Sequence, residues 1–256
     1  MPLHPALASR LEKAAVDNGF DCNQAVHDGW LAFTSTHAPL KIWLSAIEGG
    51  PILLALSQAN VAKALGAQPA GGALPLPSGA CEALAVPDIA TLHHTLRRAF
   101  QLSRSLPNKL LESFEAKTAA LPKLTEVERL VVQRVGQDVF REGLLDYWDG
   151  RCAVTGLTVR ELLRASHVKP WADCATDAER LDVYNGLLLA VHLDAAFDRG
   201  FITFEDDGRI RISPALSADD RRALSVNSAL KVRVLEDEHR TYLAWHRAKV
   251  FRAVPG

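Results

Sequence analysis

Hydrophobic and polar positions in the N-terminal part of the chain predict a small α+β region. Apolar residues recur at helical spacing over residues 5–18 and over Ile89–Ser105, which predicts an amphipathic helix in each segment. Between them, three runs of strand-forming residues are separated by turn-forming residues, which predicts an antiparallel meander. The three runs are Trp30–Thr34, 40–46 and Ile52–Leu56. The Gly-, Ala- and Pro-rich residues 66–87 predict an extended loop.

The second half of the chain has a different order of predicted elements. Residues 106–123 contain two prolines and mixed charges, as is typical of a linker between domains. A helix is expected to begin at Thr125, because Glu128 three residues later completes a capping-box pattern. Residues 151–212 then read as a strand, a loop, a second strand and a short helix. We therefore expect an α+β fold. The expected domains are 1–105 and 124–256.

Composition narrows the function mainly by exclusion. The formal net charge is −1, so the chain as a whole does not attract nucleic acid, and such binding needs a local basic surface. The four cysteines form no C-x-x-C pair, which argues against structural zinc. No apolar run approaches the roughly 20 residues that span a bilayer. We expect a cytoplasmic protein without a membrane partner.

The stretch 151–212 brings together residue types suited to phosphodiester hydrolysis, which needs a base for water and a cation for the developing charge. His167 ends the first predicted strand, and Asn185 precedes the second. Asp194 and Asp198 are four residues apart on the following helix, so their side chains share one face. A lone histidine at a strand end is more often structural, and a salt bridge is the simple explanation of Asp198. The joint spacing favours a functional site.

Four blocks of this stretch, RCAVTG, ASHVKPW, NGLLL and HLDAAFDRG, resemble the HNH nucleases, most closely their restriction-type bacterial branch. The resemblance covers about residues 134–213 and implies a C-terminal ββα-metal nuclease domain. It also implies that His167 is the general base that activates water and that Asn185 shapes the loop. The third motif position stays open. Its candidates as metal ligands are Asp194, His192 and Asp198.

Two departures from the family pattern bear on the metal. Many HNH nucleases have Asp or His directly before the general base, whereas this chain has Ser166, a poorer ligand for a divalent ion. The paired cysteines of some family members are absent, so the domain core depends on packing. With oxygen ligands prominent we expect Mg²⁺ or Mn²⁺, while an imidazole ligand keeps Ni²⁺ or Zn²⁺ open.

Basic residues around the motif are candidate phosphate contacts. Between positions 129 and 169, seven basic residues stand against five acidic ones. That excess fits either a solvated surface with ion pairs or a strip of phosphate contacts. The candidate DNA-binding residues are Arg151, Arg164, Lys169 and Arg199.

The sequence thus predicts a metal-dependent endonuclease that hydrolyses DNA. By analogy of domain arrangement alone, the N-terminal domain would select the target in restriction or phage defence. The alternative is a DNA-binding protein whose HNH domain is degenerate and does not cleave, and Ser166 favours it. A third hypothesis is a scaffold protein that binds no DNA. A homodimer is expected if one active site per chain must cut both strands.

Overall fold

A computed structural model describes residues 3–27, 29–72, 74–106, 109–122 and 125–254, and only the backbone of 25–27. The chain divides into two compact units, Met1–Leu106 and Pro107–Gly256. Within these described ranges, none of the helices combines the length and the apolar character needed to cross a bilayer.

The first unit is built on an antiparallel sheet in which β1 to β5 pair in sequence order. The strands are β1 (Cys22–His27), β2 (Trp30–Thr34), β3 (Ile42–Ala46), β4 (Ile52–Leu56) and β5 (Glu82–Val86). The helices are α1 (Pro5–Asp17), α2 (Ala59–Leu65) and α3 (Ile89–Ser105). Both α1 and α2 pack on α3, and Leu11, Leu92 and Leu96 are fully buried there.

The sheet confirms the predicted meander and extends it on both sides, by β1 and by β5. The prediction of a continuous loop over 66–87 was wrong, because Glu82–Val86 pairs with β4 along its whole length. Leu84 and Val86 are buried in this strand, two residues apart, as the period of a strand requires. The surrounding Gly and Pro residues predicted a loop, and the alternation of Leu84 and Val86 was too short to outweigh them. The α+β class itself is confirmed.

The second unit sets two short hairpins among helices. The helices are α4 (Lys109–Thr118), α5 (Glu126–Tyr147), α6 (Asp177–Arg180), α7 (Val191–Asp198), α8 (Ala218–Ala223) and α9 (Asp237–Lys249). The strands are β6 (Leu163–His167), β7 (Gly186–Ala190), β8 (Ile202–Phe204) and β9 (Ile210–Ile212). Antiparallel pairing joins β6 to β7 and β8 to β9. Helices α5 and α7 pack on the first hairpin, and α9 packs on β8.

The segment 106–123, expected to be a linker, instead contributes α4 to the second unit. This helix packs on α5 through buried Leu110 and Phe114, which are four residues apart and so share one face. Gly143 on α5 allows the close approach, since a Cβ there would lie 2.3 Å from Leu110 Cδ1. The two prolines and the mixed charges of the segment led to the linker prediction, although Leu110 and Phe114 stand at helical spacing.

Helix α5 precedes the first hairpin in the chain and packs on both of its strands. Its N-terminus has the predicted capping box: the Thr125 hydroxyl accepts the Glu128 amide at 3.2 Å, and the Glu128 carboxylate accepts the Thr125 amide at 2.8 Å. Near its other end, Phe140 packs against Gly186, where a Cβ would lie 2.6 Å from Phe140 Cζ. A larger residue at the start of β7 would therefore push the hairpin away from α5.

Gly200, which follows α7, supplies a prediction about stability. Its φ is +72°, and a Cβ would lie 2.1 Å from the carbonyl oxygen of Val250. Gly200→Ala should lower the free energy of unfolding by about 3 kcal/mol, combining left-handed strain with the backbone clash. Gly156→Ala is the matched control, because φ there is +76° and nothing lies within 4 Å of the added Cβ. Its loss should be about 1 kcal/mol. Urea denaturation followed by tryptophan fluorescence measures both, and equal losses would contradict the packing argument.

Candidate active site

His167 is the last residue of β6 and lies opposite Gly186 in the hairpin. Its ring stacks on Phe140 with 3.8 Å between ring centroids and meets Trp171 edge-on at 5.6 Å. Burial in this aromatic setting lowers the pKa of His167 to about 4, and the hydrogen bond to Arg180 offsets only part of the effect. The ring is therefore neutral at neutral pH and has a nitrogen free to take up a proton.

A hydrogen bond fixes which nitrogen that is. His167 Nε2 lies 2.9 Å from the backbone carbonyl oxygen of Arg180. Because a carbonyl oxygen only accepts, Nε2 carries the proton, and Nδ1 is the unprotonated nitrogen of the neutral ring. Nδ1 makes no hydrogen bond to any residue that the structure describes. His167 lines a cleft of about 300 Å³.

Asn185 is fully buried and ties together the loop between β6 and β7. Its Oδ1 accepts the amide of Lys169 at 2.8 Å, and its Nδ2 donates to the carbonyls of Lys169 and Glu179 at 3.2 and 3.1 Å. Nδ2 also lies 3.3 Å from the sulfur of Cys174. These contacts belong to a residue that shapes the loop; they do not reach the imidazole. Asn185 acts as a positioning residue in this geometry.

Asp194 and Asp198 lie together on α7, beside the buried hydroxyl of Ser166. Ser166 Oγ donates to Asp198 Oδ1 at 3.0 Å. Burial, followed by the charge of Asp198, raises the pKa of Asp194 to about 6. Burial also raises the pKa of Asp198, against the opposing effects of Ser166 and Arg199. Two neighbouring carboxylates that are hard to ionise together form a site that a cation would stabilise.

The strand places the histidine and the carboxylates on different sides of the hairpin. Successive side chains of a strand point to opposite faces, so Ser166 faces α7 while His167 faces α5. The two sides meet at the edge of β6, where both His167 and Asp198 line the cleft. The structure therefore brings His167 and Asp198 to one cleft, while Asp194 lies beside Asp198 on α7 and does not line the cleft.

His192 does not join this group. It is exposed, and on α7 it points about 200° away from Asp194 around the helix axis. The expectation of His192 as a metal ligand therefore does not fit the structure. Across the described parts of the chain, no group of three or more His, Cys, Asp or Glu side chains is arranged to hold a metal.

The donor set can be matched to a metal by its chemistry. Asp194 and Asp198 offer oxygen ligands only, and Mg²⁺ is commonly held by one or two carboxylates together with water and substrate phosphate. The pair fits Mg²⁺ or Mn²⁺ on that basis. It does not fit Zn²⁺, which takes three or four protein ligands, usually including nitrogen or sulfur. All four cysteines are free thiols, and buried Cys152 accepts the amides of Thr155 and Ala190.

The four candidate DNA-binding residues differ in their surroundings. Lys169 forms an ion pair with Glu179 at 2.6 Å, and both side chains are largely buried, so this lysine belongs to the loop structure. Arg151 forms an ion pair with Asp149 at 3.6 Å on the surface. Arg164 and Arg199 are exposed and lie near the carboxylate pair. The charge of Arg164 offsets part of the rise in the pKa of Asp194, and the charge of Arg199 offsets part of the rise in the pKa of Asp198.

Two further residues at the site, Arg180 and His246, are not among the site residues expected from the sequence. Arg180 supplies the carbonyl that holds His167, a backbone role that no residue-type pattern signals. His246 on α9 also lines the cleft, but its Nδ1 accepts from the Thr203 hydroxyl at 2.9 Å and its Nε2 donates to the Phe197 carbonyl at 3.1 Å. With both nitrogens bonded, His246 is a structural histidine.

Comparison with known proteins bears on this site alone. The family model HNH_2, described as HNH endonuclease, matches residues 152–205. The matched span includes both strands of the first hairpin, α7 and β8, together with His167, Asn185 and the carboxylate pair. No curated protein matches the chain at a significant level.

The raised pKa of Asp194 predicts a stability that depends on pH. The folded protein keeps a proton on Asp194 that the unfolded chain releases between pH 3.8 and about 6. The contribution to stability is complete below the lower value and is lost as pH rises through the higher one. The free energy of unfolding of Asp194→Asn, relative to that of the wild type, should therefore increase between about pH 4 and about pH 8. The increase should be about 1 kcal/mol after allowing for partial exposure.

The measurement is thermal or urea unfolding in EDTA across this pH range. Asp138→Asn removes an exposed carboxylate of α5 and controls for the change in net charge. A difference between Asp194→Asn and wild type that stays constant with pH would show that the carboxylate is not destabilised in the folded state.

Proposed function

We propose that this chain, whose residues 152–205 match the HNH endonuclease family model, is a metal-dependent endonuclease that hydrolyses DNA phosphodiester bonds. The observation that carries the proposal is that His167, whose Nδ1 makes no hydrogen bond to a described residue, lines the same cleft as Asp198. A base and a metal-binding carboxylate are the two components that phosphodiester hydrolysis requires of a protein, and the cleft offers His167 and Asp198 for these roles.

In this proposal His167 accepts a proton from the attacking water at Nδ1. Nε2–H stays bonded to the Arg180 carbonyl, and this bond stabilises the imidazolium that forms. In the free protein a pKa of about 4 makes His167 a weak base. An anionic phosphate in the cleft raises that pKa through its charge, so the base becomes effective when substrate is bound.

Asp194 and Asp198 would hold the divalent ion, with Mg²⁺ or Mn²⁺ preferred to Ni²⁺ or Zn²⁺ because both ligands are carboxylates. A bound ion would stabilise negative charge on the phosphate oxygens. Ser166 keeps Asp198 in place through its hydroxyl, which suits a supporting role beside the carboxylates. Asn185 would shape the loop that presents the Arg180 carbonyl.

The DNA backbone would be contacted by the exposed residues Arg151, Arg164 and Arg199, of which Arg164 and Arg199 lie near the carboxylates. Lys169 would act through the loop, given its ion pair with Glu179. The first unit would select the target, and the setting would be restriction or phage defence in the cytoplasm. The support for this last step is the analogy of domain arrangement.

The alternative function is DNA binding without cleavage. One observation favours it: Ser166 stands where many HNH nucleases have a metal-binding residue, and its hydroxyl is engaged with Asp198. With two carboxylates as the protein's ligands, metal affinity in the absence of substrate would be low. Tight DNA binding with no cleavage in any metal would select this alternative.

A homodimer forms part of the proposal, and the N-terminal half of α5 offers a surface for it. Val127, Leu130 and Val131 are 70%, 57% and 48% exposed, although they form an apolar stripe at helical spacing. Glu126 and Arg134 lie four residues before and after Leu130 on the same face. If two copies of α5 crossed antiparallel at Leu130, each Glu126 would lie opposite the partner's Arg134. This self-complementary charge favours a second copy as the occupant.

The nuclease proposal predicts cleavage of supercoiled plasmid in Mg²⁺ or Mn²⁺. His167→Ala should reduce the rate by about 10²- to 10⁴-fold, the usual loss of a general base. His192→Ala is the matched control, because it removes a nearby histidine that points away from the carboxylates. Identical background nicking by wild type and His167→Ala in Mg²⁺, Mn²⁺, Ni²⁺ and Zn²⁺ would refute the proposal.

The dimer is predicted to be weak in free solution, because three apolar residues per copy bury less surface than a standard interface of about 1,600 Å². Sedimentation velocity over a concentration series measures it. Glu126→Arg and Arg134→Glu should each weaken association, and the double variant should restore it by re-forming the pair with reversed charges. A chain that stays monomeric at every concentration, with and without DNA, would rule out this surface.

A further inference from the structure

Arg180 contacts the histidine and the loop with different parts of the same residue. Its backbone carbonyl accepts the Nε2–H of His167 at 2.9 Å. Its guanidinium donates to the backbone carbonyls of Trp171 at 3.2 Å and Cys174 at 2.6 Å, and to the carboxylate of Asp177 at 2.9 Å. The guanidinium carbon also lies 5.8 Å from the centroid of the Trp171 ring.

These contacts fix the surroundings of His167 from two directions. The bonded carbonyls lie at the start and just after the end of the short 3₁₀ turn Trp171–Asp173, so the guanidinium braces that turn against α6. The Trp171 ring in turn meets the edge of His167. The planar fork of arginine suits this task, because it can donate to several acceptors in a fixed geometry. The Arg180 side chain is 22% exposed, so these bonds are partly shielded from water.

We propose that Arg180 is a positioning residue that holds His167 in the tautomer with the proton on Nε2. The guanidinium braces the loop so that the residue's own carbonyl stays aimed at the imidazole. This inference rests on the proposed function, in which Nδ1 must be unprotonated to accept a proton from water. It assigns to the loop a part in the reaction that lies beyond the general base and the carboxylates.

Other residues hold the same loop, but they hold different points of it. Asn185 bonds Lys169 and the carbonyl of Glu179, one residue before the carbonyl that receives His167. Glu179 accepts from the side chain of Lys169 and the amide of Ala175. Neither bonds the carbonyl of Trp171. Removing the guanidinium should therefore loosen the Trp171–Asp173 turn, while Glu179 still holds the Ala175 amide and Asn185 still holds Lys169.

The first test is the tautomer of His167 by ¹⁵N NMR of the histidine rings in the full chain, without metal or DNA. His167→Gln assigns the signal. In the wild type we expect Nε2 to give a protonated, pyrrole-like shift and Nδ1 an unprotonated, pyridine-like shift. Arg180→Met should move both shifts toward a mixture of tautomers. Arg221→Met is the matched control, because that guanidinium also binds two backbone carbonyls, those of Leu216 and Ser213, away from His167.

The second test is the kinetics of DNA cleavage. Arg180→Met should lower kcat by about 100-fold with little change in KM, as expected when a reacting group is misplaced by about 1 Å. Arg180→Lys keeps the charge, but one ammonium cannot brace both carbonyls, so its tautomer mixture and kcat should be intermediate. It also serves if Arg180→Met does not fold.

The outcomes separate this inference from the function on which it rests. Wild-type shifts in both Arg180 variants would overturn the positioning role, whether or not the protein cleaves DNA. A shifted tautomer in the Arg180 variants, with no cleavage by the wild type, would support the positioning role and refute the nuclease. Equal shifts in Arg221→Met would show a general loss of structure and would overturn the specific role of Arg180.

Discussion

The site depends on one hydrogen bond, from His167 Nε2 to the carbonyl of Arg180. A histidine stacked on Phe140 inside an aromatic pocket would otherwise have no fixed proton position, because either ring nitrogen can carry the proton. The carbonyl acts only as an acceptor, so the basic lone pair lies on Nδ1. The loop between β6 and β7 supplies this carbonyl and is itself held by Asn185, which is fully buried and bonds the carbonyl of Glu179 next to Arg180.

The two carboxylates differ from His167 in how the fold affects their usual charge state. His167 is stabilised as a neutral group, whereas Asp194 and Asp198 are held close together at a cost to their ionisation. A fold selected for stability alone would replace one of them with a neutral residue. The presence of both carboxylates is consistent with a site that binds a cation and an anionic substrate. Ser166 connects the two sides, since it precedes the histidine in the strand and donates to Asp198.

Sequence reasoning reached the parts of the structure that depend on periodicity and capping. Thr125 and Glu128 predicted the start of α5, and the apolar runs before His167 and after Asn185 predicted the two strands β6 and β7. It failed where the signal was weak or not local. Helix α4 and strand β5 each show only two buried apolar positions within Pro- or Gly-rich surroundings. The Lys169–Glu179 ion pair joins residues ten apart across an irregular loop, a spacing with no periodic meaning.

The sequence predicted the residue types of the candidate site, but not the directions in which their side chains and carbonyls point. The spacing of Asp194 and Asp198 correctly placed both on one face of α7. The choice between Asp194 and His192 depended on which face of α7 packs on the hairpin, and the sequence does not give this. The role of the Arg180 carbonyl could not be inferred, because every residue has a carbonyl and its direction depends on the folded loop.

The central claim is that His167 is a neutral base that becomes effective when phosphate enters the cleft. The most direct measurement is an NMR pH titration of His167 in free protein and in protein saturated with a DNA duplex, both in EDTA to prevent cleavage. The account predicts a pKa of about 4 in the free protein and a clear rise on DNA binding. The same pKa in both states, with DNA bound, would contradict it, because phosphate would then lie away from the proposed base.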